Sequence, residues 1–422
     1  MNVLTKPSPA DRTADLEDLL DSGSLRSHYQ PVVSLYEPGV VGYEALVRGP
    51  AGTDLERPDK LFAAASATGL TTALDMACRK AALEGALSAG LRSPSTLFLN
   101  VEAAALSTRL PAALVRLITR AMSSFRVVVE VTERALTDRP AELFKSLAEL
   151  RQLGCGIALD DVGADERSLA LMPFLRPDVI KLDLRFVQDK PSTALARVHN
   201  AVAAEAERTG AVVLAEGIES EQHLLTARAL GATLGQGYLF GRPAPLASPA
   251  RFVGSGVPVL GAAPGATATS PFELVSSVRP LRRGRSKPLL LATSRELEHQ
   301  AMNLGVEGIL LSTFQESRHL SPATMRLYSN LAQQITFVGA LGSGVMAEPA
   351  PGVRGAELAD DDPVRAEWDV IVIGSHFGAA FVARDLGDTG PDEQRRFDFT
   401  ITHDRDTAVA AARSLMARIA PA

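Results

Sequence analysis

The feature that most constrains the fold is a series of eight short apolar segments in the first 240 residues, most of which run into a charged or amide side chain. Most of them lack polar alternation, which is typical of strands buried on both faces. Helical stretches such as Leu61–Ala86 and Ala194–Thr209 lie between the later ones. Eight strands with crossover helices predict a TIM-like (β/α)8 barrel, an α/β fold. The predicted strands are Tyr29–Leu35, Val41–Arg48, Leu97–Val101, Arg126–Val131, Gly156–Asp160, Asp178–Asp183, Ala211–Glu216 and Gly237–Phe240.

The connection between the first two strands departs from the standard barrel. Only residues 36–40 separate them, and this segment contains Pro38 and Gly39. A parallel crossover needs about a dozen residues or more. We therefore expect the first strand to run antiparallel to the second.

The amino-acid composition excludes several classes of protein. Hydrophobic residues make up 46% of the chain and charged residues 22%, which excludes a disordered or collagen-like chain. The net charge of −6 argues against binding a nucleic-acid polymer. Cys78 and Cys155 are too few for a disulfide framework, so a reduced compartment fits best. The sequence shows no signal peptide and no apolar run of about 18 residues that would span a membrane. We expect a soluble, cytoplasmic protein.

The chain divides at an uncharged segment rich in Gly, Pro, Ala and Ser. This segment, residues 254–271, is predicted to be a flexible linker. Residues 1–23 are interpreted as a tail with a short helix over Ala14–Leu20, residues 24–253 as the barrel, and residues 272–420 as a smaller α/β domain.

Polar side chains at the predicted strand ends form the candidate site. Barrel enzymes build their sites from these ends, so the side chains should converge. Converging carboxylates repel one another unless cations neutralise them, and sets of oxygen ligands suit Mg²⁺ or Mn²⁺. Adjacent aspartates can serve two metals, an arrangement that supports in-line displacement at phosphorus. In chain order the residues are Glu44, Arg48, Asn100, Glu130, Asp160, Asp161, Lys181, Glu216 and Gln236.

Each of these residues also has a structural interpretation. Asn100 fits a helix cap, Gln236 fits a turn, and Lys181 alone fits a surface salt bridge. Lys181 lies between the apolar residues Ile180 and Leu182, which favours a side chain directed into the barrel mouth. The ordered set of strand ends favours a metal site over these separate roles.

Eight motifs in this region resemble the EAL family of cyclic di-GMP phosphodiesterases over residues 25–245. One such motif is weak, but eight in the right order are specific. The motifs are YQPVVSL (29–35), YEALVR (43–48), FLNVE (98–102), VEVTE (129–133), LDDVG (159–163), DVIKLD (178–183), AEGIES (215–220) and GQGYLFGRP (235–243). The resemblance implies a metal-dependent bacterial enzyme that opens cyclic di-GMP to linear pGpG, with an antiparallel first strand in its barrel.

The resemblance also implies roles for individual residues. One metal is expected at Glu44, Asn100, Glu130 and Asp160, and a second at Asp160, Asp161 and Glu216, each being Mg²⁺ or Mn²⁺. Lys181 is expected to hold the attacking water and to assist as acid or base. Glu219 is expected to steady the loop after Asp161. Gln30, Arg48 and Gln236 are expected to contact the substrate.

The loop after the aspartate pair departs from the family pattern. Family members usually carry a second glycine and a tyrosine there, whereas this chain has Asp165 and Glu166. In the family this loop shapes the second metal site and a dimer contact, so the departure puts the rate and regulation in doubt. Two alternatives stay open: a weak or inactive cyclic di-GMP receptor that acts through protein partners, and an enzyme for another cyclic dinucleotide or phosphodiester. A homodimer through the barrel is a further expectation.

The C-terminal part again alternates strands and helices. Predicted strands are Lys287–Ala292, Gly308–Leu311, Gln334–Leu341, Asp369–Gly374 and Phe397–Thr402. Residues 346–367 are predicted to be a mobile loop, and Asp406 to cap a closing helix over Asp406–Ile419. Arg282, Arg283 and Arg285 form a basic cluster that is interpreted as a solvated face.

Three segments of this part resemble the DICT family of sensory domains. They are KPLLLATSRELE (287–298), TFQESRHLSPATMRLYSNLAQQ (313–334) and FVGALGSG (337–344). The resemblance implies that the second domain regulates the barrel in response to a signal that the sequence does not identify. The sequence carries no GGDEF motif, so we do not expect the chain to synthesise cyclic di-GMP.

Overall fold

The structure of the chain is a computed structural model that describes residues 9–37, 39–106, 108–132, 137–165, 167–246, 256–257, 270–389 and 391–420. In the first part, the described strands are β1 (Arg26–Ser34), β2 (Val40–Arg48), β3 (Thr96–Asn100), β4 (Arg126–Val131), β5 (Gly156–Val162), β6 (Val179–Leu182), β7 (Val212–Ala215) and β8 (Leu234–Gln236). The described helices there are α1 (Pro9–Ser22), α2 (Pro58–Thr68), α3 (Thr71–Ser88), α4 (Ala103–Leu106), α5 (Ala112–Met122), α6 (Pro140–Gln152), α7 (Ser168–Leu175), α8 (Arg185–Gln188), α9 (Thr193–Thr209) and α10 (Glu221–Ala229).

These strands form one closed barrel in the order β1 to β8. Strand β1 pairs antiparallel with both β2 and β8, while each pair from β2–β3 to β7–β8 is parallel. The predicted barrel and its antiparallel first strand are therefore confirmed. The physical reason is the short turn after β1, which reverses the chain but cannot cross over the sheet.

The last barrel strand begins three residues earlier than predicted. Strand β8 covers Leu234–Gln236, and the predicted strand Gly237–Phe240 is a turn in which the Phe240 N–H donates to the Gly237 oxygen at 3.1 Å. The Leu239 N–H donates instead to the Ile218 oxygen at 3.0 Å. The aromatic and apolar residues here follow the strand rather than form it.

The lower half of the barrel interior is an apolar layer. Its members are Val32, Val41, Phe98, Val128, Ala158, Val179, Leu214 and Leu234. Val257 packs onto this layer and is only 2% exposed, and its carbonyl accepts a hydrogen bond from Arg126 Nη1 at 2.7 Å. Of the predicted linker over 254–271, residues 256–257 and 270–271 are described, and the others lie outside the described residues. Residues 256–257 of this linker thus contact the underside of the barrel.

The second part forms a seven-stranded sheet in the order β12-β11-β10-β13-β14-β15-β9. Its strands are β9 (Arg282–Ser286), β10 (Ile309–Glu316), β11 (Phe337–Ser343), β12 (Arg354–Glu357), β13 (Glu367–Ile373), β14 (Gly378–Asp385) and β15 (Arg396–Thr402). Its helices are α11 (Pro271–Ser276), α12 (Lys287–Asn303), α13 (Pro322–Ala332) and α14 (Arg405–Met416). The pairs β10–β11 and β11–β12 are parallel and the other pairs are antiparallel.

Two predictions for the strands and loops of this domain are wrong. The expected strand Lys287–Ala292 is the first part of α12, because burial at Leu290, Ser294 and Leu297 follows the helical period. Strand β9 comes just before this helix. It contains the arginine cluster and forms one edge of the sheet. The expected mobile loop contains β12, which pairs with β11.

The closing helix is capped by a different aspartate from the one predicted. The Asp404 side chain accepts a hydrogen bond from the Thr407 N–H, and α14 then begins at Arg405. Asp406 lies in the first turn, where an acidic side chain also interacts favourably with the helix dipole. None of the described helices is both long and apolar enough to cross a membrane.

Candidate active site

The site is a polar layer directly above the apolar layer of the barrel. Side chains two positions apart on a strand share a face. In β3 to β8, the side chain two positions after the residue of the apolar layer therefore points into the barrel mouth. The pairs are Phe98 and Asn100, Val128 and Glu130, Ala158 and Asp160, Val179 and Lys181, Leu214 and Glu216, and Leu234 and Gln236. The strand geometry thus brings the predicted strand-end residues together at one mouth.

Lys181 is the centre of this layer. Its side chain is 1% exposed, and its Nζ lies 2.7 Å from Glu130 Oε1, 2.8 Å from Asp160 Oδ1 and 2.9 Å from Glu216 Oε1. Glu44 Oε1 is further away, at 3.8 Å. One ammonium group therefore neutralises part of a set of four carboxylates.

Glu44 is held by amide groups on either side of it. Asn100 Nδ2 donates to Glu44 Oε1 at 2.9 Å, and Gln236 Nε2 donates to Glu44 Oε2 at 2.6 Å. Gln236 Nε2 also donates to Gln30 Oε1 at 3.1 Å, and Gln30 Nε2 donates to the Gly241 carbonyl at 3.3 Å. The predicted substrate residues Gln30 and Gln236 are thus connected to a predicted metal ligand.

The pKa values of the layer reflect a balance of burial and charge. Burial opposes the ionised form of Glu44, but the charge of Lys181 and the hydrogen bonds from Gln236 and Asn100 lower its pKa below the ordinary value. Burial and the neighbouring Glu44 raise the pKa of Glu130 well above its usual range. Burial raises the pKa of Glu216 to about 8. Burial disfavours the charged form of Lys181, but Asp160, Glu130 and the other carboxylates raise its pKa.

A second group of carboxylates lies at the rim. Asp160, Asp161 and Glu216 each place one oxygen within 4.8 Å of the other two. Asp161 has φ of 55°, a left-handed conformation that is uncommon for a residue other than glycine, and the register of β5 with β6 shifts at this point. Burial and the charge of Asp160 raise the pKa of Asp161. The irregular backbone turns both aspartates toward the mouth.

The donor set fits a divalent cation. All three rim groups are carboxylates, which are preferred ligands of hard cations such as Mg²⁺ and Mn²⁺. Both oxygens of Glu130 and Oδ1 of Asp160 are buried without a well-formed hydrogen bond, although Lys181 lies close to them. Buried carboxylate oxygens in this condition are suited to ion binding.

The loop after Asp161 is fixed by contacts with the next segment of chain. Arg185 Nη2 donates to the Gly163 carbonyl at 2.8 Å, and Arg185 Nε donates to Asp183 Oδ1 at 2.8 Å. Gly163 has φ of 94°, and a Cβ there would lie 2.3 Å from Phe186. Asp165 accepts a hydrogen bond from the Arg167 N–H at 3.0 Å, whereas Glu166 lies outside the described residues.

Two further predicted residues lie apart from the layer. Glu219 is exposed, and its carboxylate makes neither a hydrogen bond nor an ion pair with any described part of the chain. Its N–H donates to His223 Nδ1 at 3.3 Å. Arg48, at the end of β2, donates from Nη1 to the Val47 carbonyl at 2.7 Å. Neither side chain therefore belongs to the polar layer.

A cavity of about 240 Å³ adjoins the layer. Asn100, Glu130 and Asp160 form one wall, and Pro58 and Phe62 of α2 are on another. A larger hollow of about 440 Å³ lies between α1, β1 and α3, and the described residues that line it include none of the predicted site residues.

Sequence reasoning missed a buried ion pair in the wall of the smaller cavity. Asp75 and Arg79 of α3 are 3% and 5% exposed, with Asp75 Oδ2 2.5 Å from Arg79 Nη2. Asp75 Oδ1 accepts a hydrogen bond from the Glu102 N–H at 2.9 Å, two residues after Asn100. The spacing of four residues on a helix was the available signal, but it does not distinguish a buried pair from a surface pair.

Comparison with known proteins finds two family models on the chain. The EAL domain model matches residues 13–243. A model described as "Sensory domain in DIguanylate Cyclases and Two-component system" matches residues 273–386. Both resemblances that the motifs predict are confirmed.

Two curated relatives illustrate the extent of the similarity. The cyclic di-GMP phosphodiesterase RocR of Pseudomonas aeruginosa is 34% identical over 252 residues, which cover 55% of this chain and 60% of RocR. The probable cyclic di-GMP phosphodiesterase PdeB of Escherichia coli is 30% identical over 235 residues, which cover 54% of this chain and 45% of PdeB. The similarity thus spans less than two thirds of either relative.

Solved structures also match about half of the chain. A complex of Klebsiella pneumoniae BlrP1 with manganese and cyclic di-GMP has a TM-score of 0.47 at 29% identity, covering 52% of this chain and 56% of that one. The PaMucR phosphodiesterase in complex with cyclic di-GMP has a TM-score of 0.48 at 26% identity, covering 56% of this chain and 97% of that one.

Proposed function

This chain belongs to the EAL domain family, and from that premise we propose that it hydrolyses cyclic di-GMP to linear pGpG with the help of divalent metal ions. The observation that carries the proposal is the polar layer: four carboxylates and two amides from six strands or strand ends meet around Lys181 at one barrel mouth. Two curated relatives named cyclic di-GMP phosphodiesterases match this half of the chain.

The metal ligands in this proposal are carboxylates and one amide. Glu44, Asn100, Glu130 and Asp160 would hold one ion, and Asp160, Asp161 and Glu216 the other, with Mg²⁺ and Mn²⁺ the ions that the oxygen donors favour. A bound ion supplies positive charge at the phosphate and lowers the pKa of a coordinated water. The strongly raised pKa of Glu130 and the pKa of about 8 at Glu216 mean that ion binding competes with protons for this layer near neutral pH.

The protein's own groups supply orientation and charge. Gln30 is held by Gln236 and by the Gly241 carbonyl, so its amide is fixed at the rim, where it is placed to read a guanine edge. Arg48 at the end of β2 is available to a phosphate oxygen. Lys181, with its pKa raised, stays protonated near neutral pH. It orients the attacking water and stabilises the negative charge that develops on the phosphate. The resemblance assigns Glu219 the role of steadying the loop after Asp161, a contact that its exposed carboxylate does not make with the described residues of this structure.

The remaining parts of the proposal concern the whole chain. Residues 24–253 act as the catalytic barrel and residues 272–420 as a sensory domain that adjusts its activity, joined by the linker over 254–271. The sensory role is supported by the family model that matches residues 273–386. A cytoplasmic setting suits a nucleotide second messenger. A homodimer through the barrel is part of the same proposal.

The proposal is tested by incubating the purified full chain with Mn²⁺ or Mg²⁺ and cyclic di-GMP, and measuring pGpG by chromatography. We expect turnover that is lost with EDTA and falls at least a hundredfold in Glu44→Gln. Glu149→Gln, an exposed carboxylate on α6, is the matched control and should retain the full rate. Other cyclic dinucleotides in the same assay test the choice of substrate. Cyclic di-GMP binding without hydrolysis above the Glu44→Gln level would reject the enzyme and favour the receptor alternative.

A further inference from the structure

The second domain packs against the helix that follows the aspartate pair. Apart from Ser168, helix α7 consists of apolar residues, and its side chains Leu169, Leu171 and Phe174 are 0% exposed. These residues belong to one continuous apolar cluster that also contains Ala412 and Leu415 of α14 in the second domain. The burial of α7 therefore depends on both domains.

Two arginines of α14 make polar contacts across this boundary. Arg405 Nη1 lies 3.0 Å from Glu205 Oε2 of α9, and the Glu205 carboxylate is only 1% exposed. Arg413 Nη1 donates to the Phe174 carbonyl of α7 at 3.1 Å, and its guanidinium lies 4.5 Å from the centre of the Phe144 ring. Buried charge-assisted contacts of this kind fix geometry more strongly than exposed ones.

The spacing of these contacts shows how α14 is oriented. Arg405, Val409 and Arg413 recur every four residues and so share one face of the helix. The two arginines contact the barrel, and Val409 packs against the shared apolar cluster. Ala408 and Leu415 are fully buried in the same cluster. Helix α14 is thus packed between the sheet and the barrel.

The contacted helix is connected directly to the candidate metal site. Asp161 is followed after seven residues by the start of α7, and the intervening loop is tied to α8 through Arg185 and the Gly163 carbonyl. Asp161 has a left-handed backbone, a conformation that persists only when its surroundings enforce it. The docked α7 is one of the elements that can enforce it.

We propose that Arg405 and Arg413 are positioning residues for the metal site: by docking α14 on α9 and α7, they hold the segment that carries Asp160 and Asp161 in its ion-binding conformation. This inference rests on the metal site of the proposed function, but not on catalysis. It assigns the second domain a route to the site through α7.

The test measures ion binding and local protection in the full chain. Arg405→Glu places two carboxylates together at the boundary, and Val409→Asp places a charge in the apolar contact. We expect both variants to increase hydrogen exchange of the amides at 169–172 and 174–175, and to weaken Mn²⁺ binding by about threefold to tenfold in calorimetric titration. Arg405→Lys, which keeps a positive charge beside Glu205, should lose much less of both. Arg326→Glu, an exposed residue on α13, should change neither.

Two results would overturn the inference. One is unchanged Mn²⁺ affinity in a variant whose α7 amides have lost protection. The other is full protection of α7 in both single variants, because the arginine contacts would then not hold the helix. Neither readout requires turnover, so failure of this inference is separable from failure of the hydrolysis assay.

Discussion

At the scale of single residues, Lys181 decides the electrostatics of the barrel mouth. Its ammonium lies within 3 Å of carboxylate oxygens from three different strands or strand ends. Without such a cation, these buried carboxylates would repel one another or take up protons. Lys181 therefore acts as an internal counter-ion for a layer that also has the donor set of a metal site.

Replacement of Lys181 by methionine tests this role. Removing one partner of a buried ion pair typically costs about 3–5 kcal/mol. We expect Lys181→Met in EDTA to lose stability of that order in urea unfolding, and Mn²⁺ to restore part of it. Lys190→Met removes an exposed lysine and should be neutral. Equal stability of the Lys181 and Lys190 variants in EDTA would argue against the counter-ion role.

Asp369 of β13 gives a pH-dependent prediction at the same scale. It is fully buried, and Thr313 is the one donor to its carboxylate among the described residues. Burial and the nearby Glu367 raise its pKa well above the ordinary value. Above about pH 4 the unfolded chain loses this proton while the folded chain keeps it, so stability falls as the pH rises toward the folded pKa. Asp369→Asn removes this loss.

We therefore expect Asp369→Asn to melt at a higher temperature than the original chain at pH 8 and at nearly the same temperature at pH 4. Asp388→Asn, a partly exposed carboxylate with a lowered pKa, is the control and should show no such gain at pH 8. A gain for Asp369→Asn that is larger at pH 4 than at pH 8 would contradict the predicted sign.

At the scale of elements, β5 shows how a barrel strand can supply two adjacent ligands. Residues alternate between the two faces of a regular strand, so Asp160 and Asp161 would point in opposite directions. The register shift and the left-handed backbone at Asp161 bring both carboxylates to the mouth. Irregularities of this type next to active sites re-aim a side chain at some cost in stability.

Substitution of Asp161 by glycine separates the backbone strain at this residue from the role of its carboxylate as a metal ligand. Glycine adopts positive φ without penalty, and the change also removes a negative charge beside Asp160. We expect Asp161→Gly to gain about 1 kcal/mol in urea unfolding in EDTA while its Mn²⁺ affinity falls at least tenfold. Asp161→Ala loses the carboxylate but keeps the strained Cβ, so it should be less stable than Asp161→Gly. Equal stability of the two variants would show that the backbone here carries no strain.

At the scale of the whole molecule, the barrel and the second domain share an apolar core. Helix α14 packs against both the sheet and the barrel. Arg354 of β12 also donates to the Thr137 carbonyl of the barrel at 2.7 Å. Val257 lies against the apolar layer at the base of the barrel. These contacts connect the domains through several elements rather than through the linker alone.

A shared core predicts cooperative unfolding. We expect the full chain in EDTA to give a single calorimetric transition, and Val409→Asp to split it into two. Two transitions in the original chain would show that the domains are energetically independent. In that case the second domain could affect the metal site only in a conformation different from the one described.

The barrel, its antiparallel first strand and the positions of the polar layer could be predicted from the amino-acid sequence. The reason is that these depend on local rules: strand length, the two-residue period that aligns Ala158 with Asp160 or Val179 with Lys181, and a turn too short for a crossover. Features that depend on contacts with distant segments could be seen only in the tertiary structure. A run such as Lys287–Ala292 fits a buried strand or a buried helix until its neighbours are known. Likewise, the backbone of Asp161, the burial of Asp75 with Arg79 and the docking of α14 on α7 arise from contacts between segments far apart in the chain, which no local pattern records.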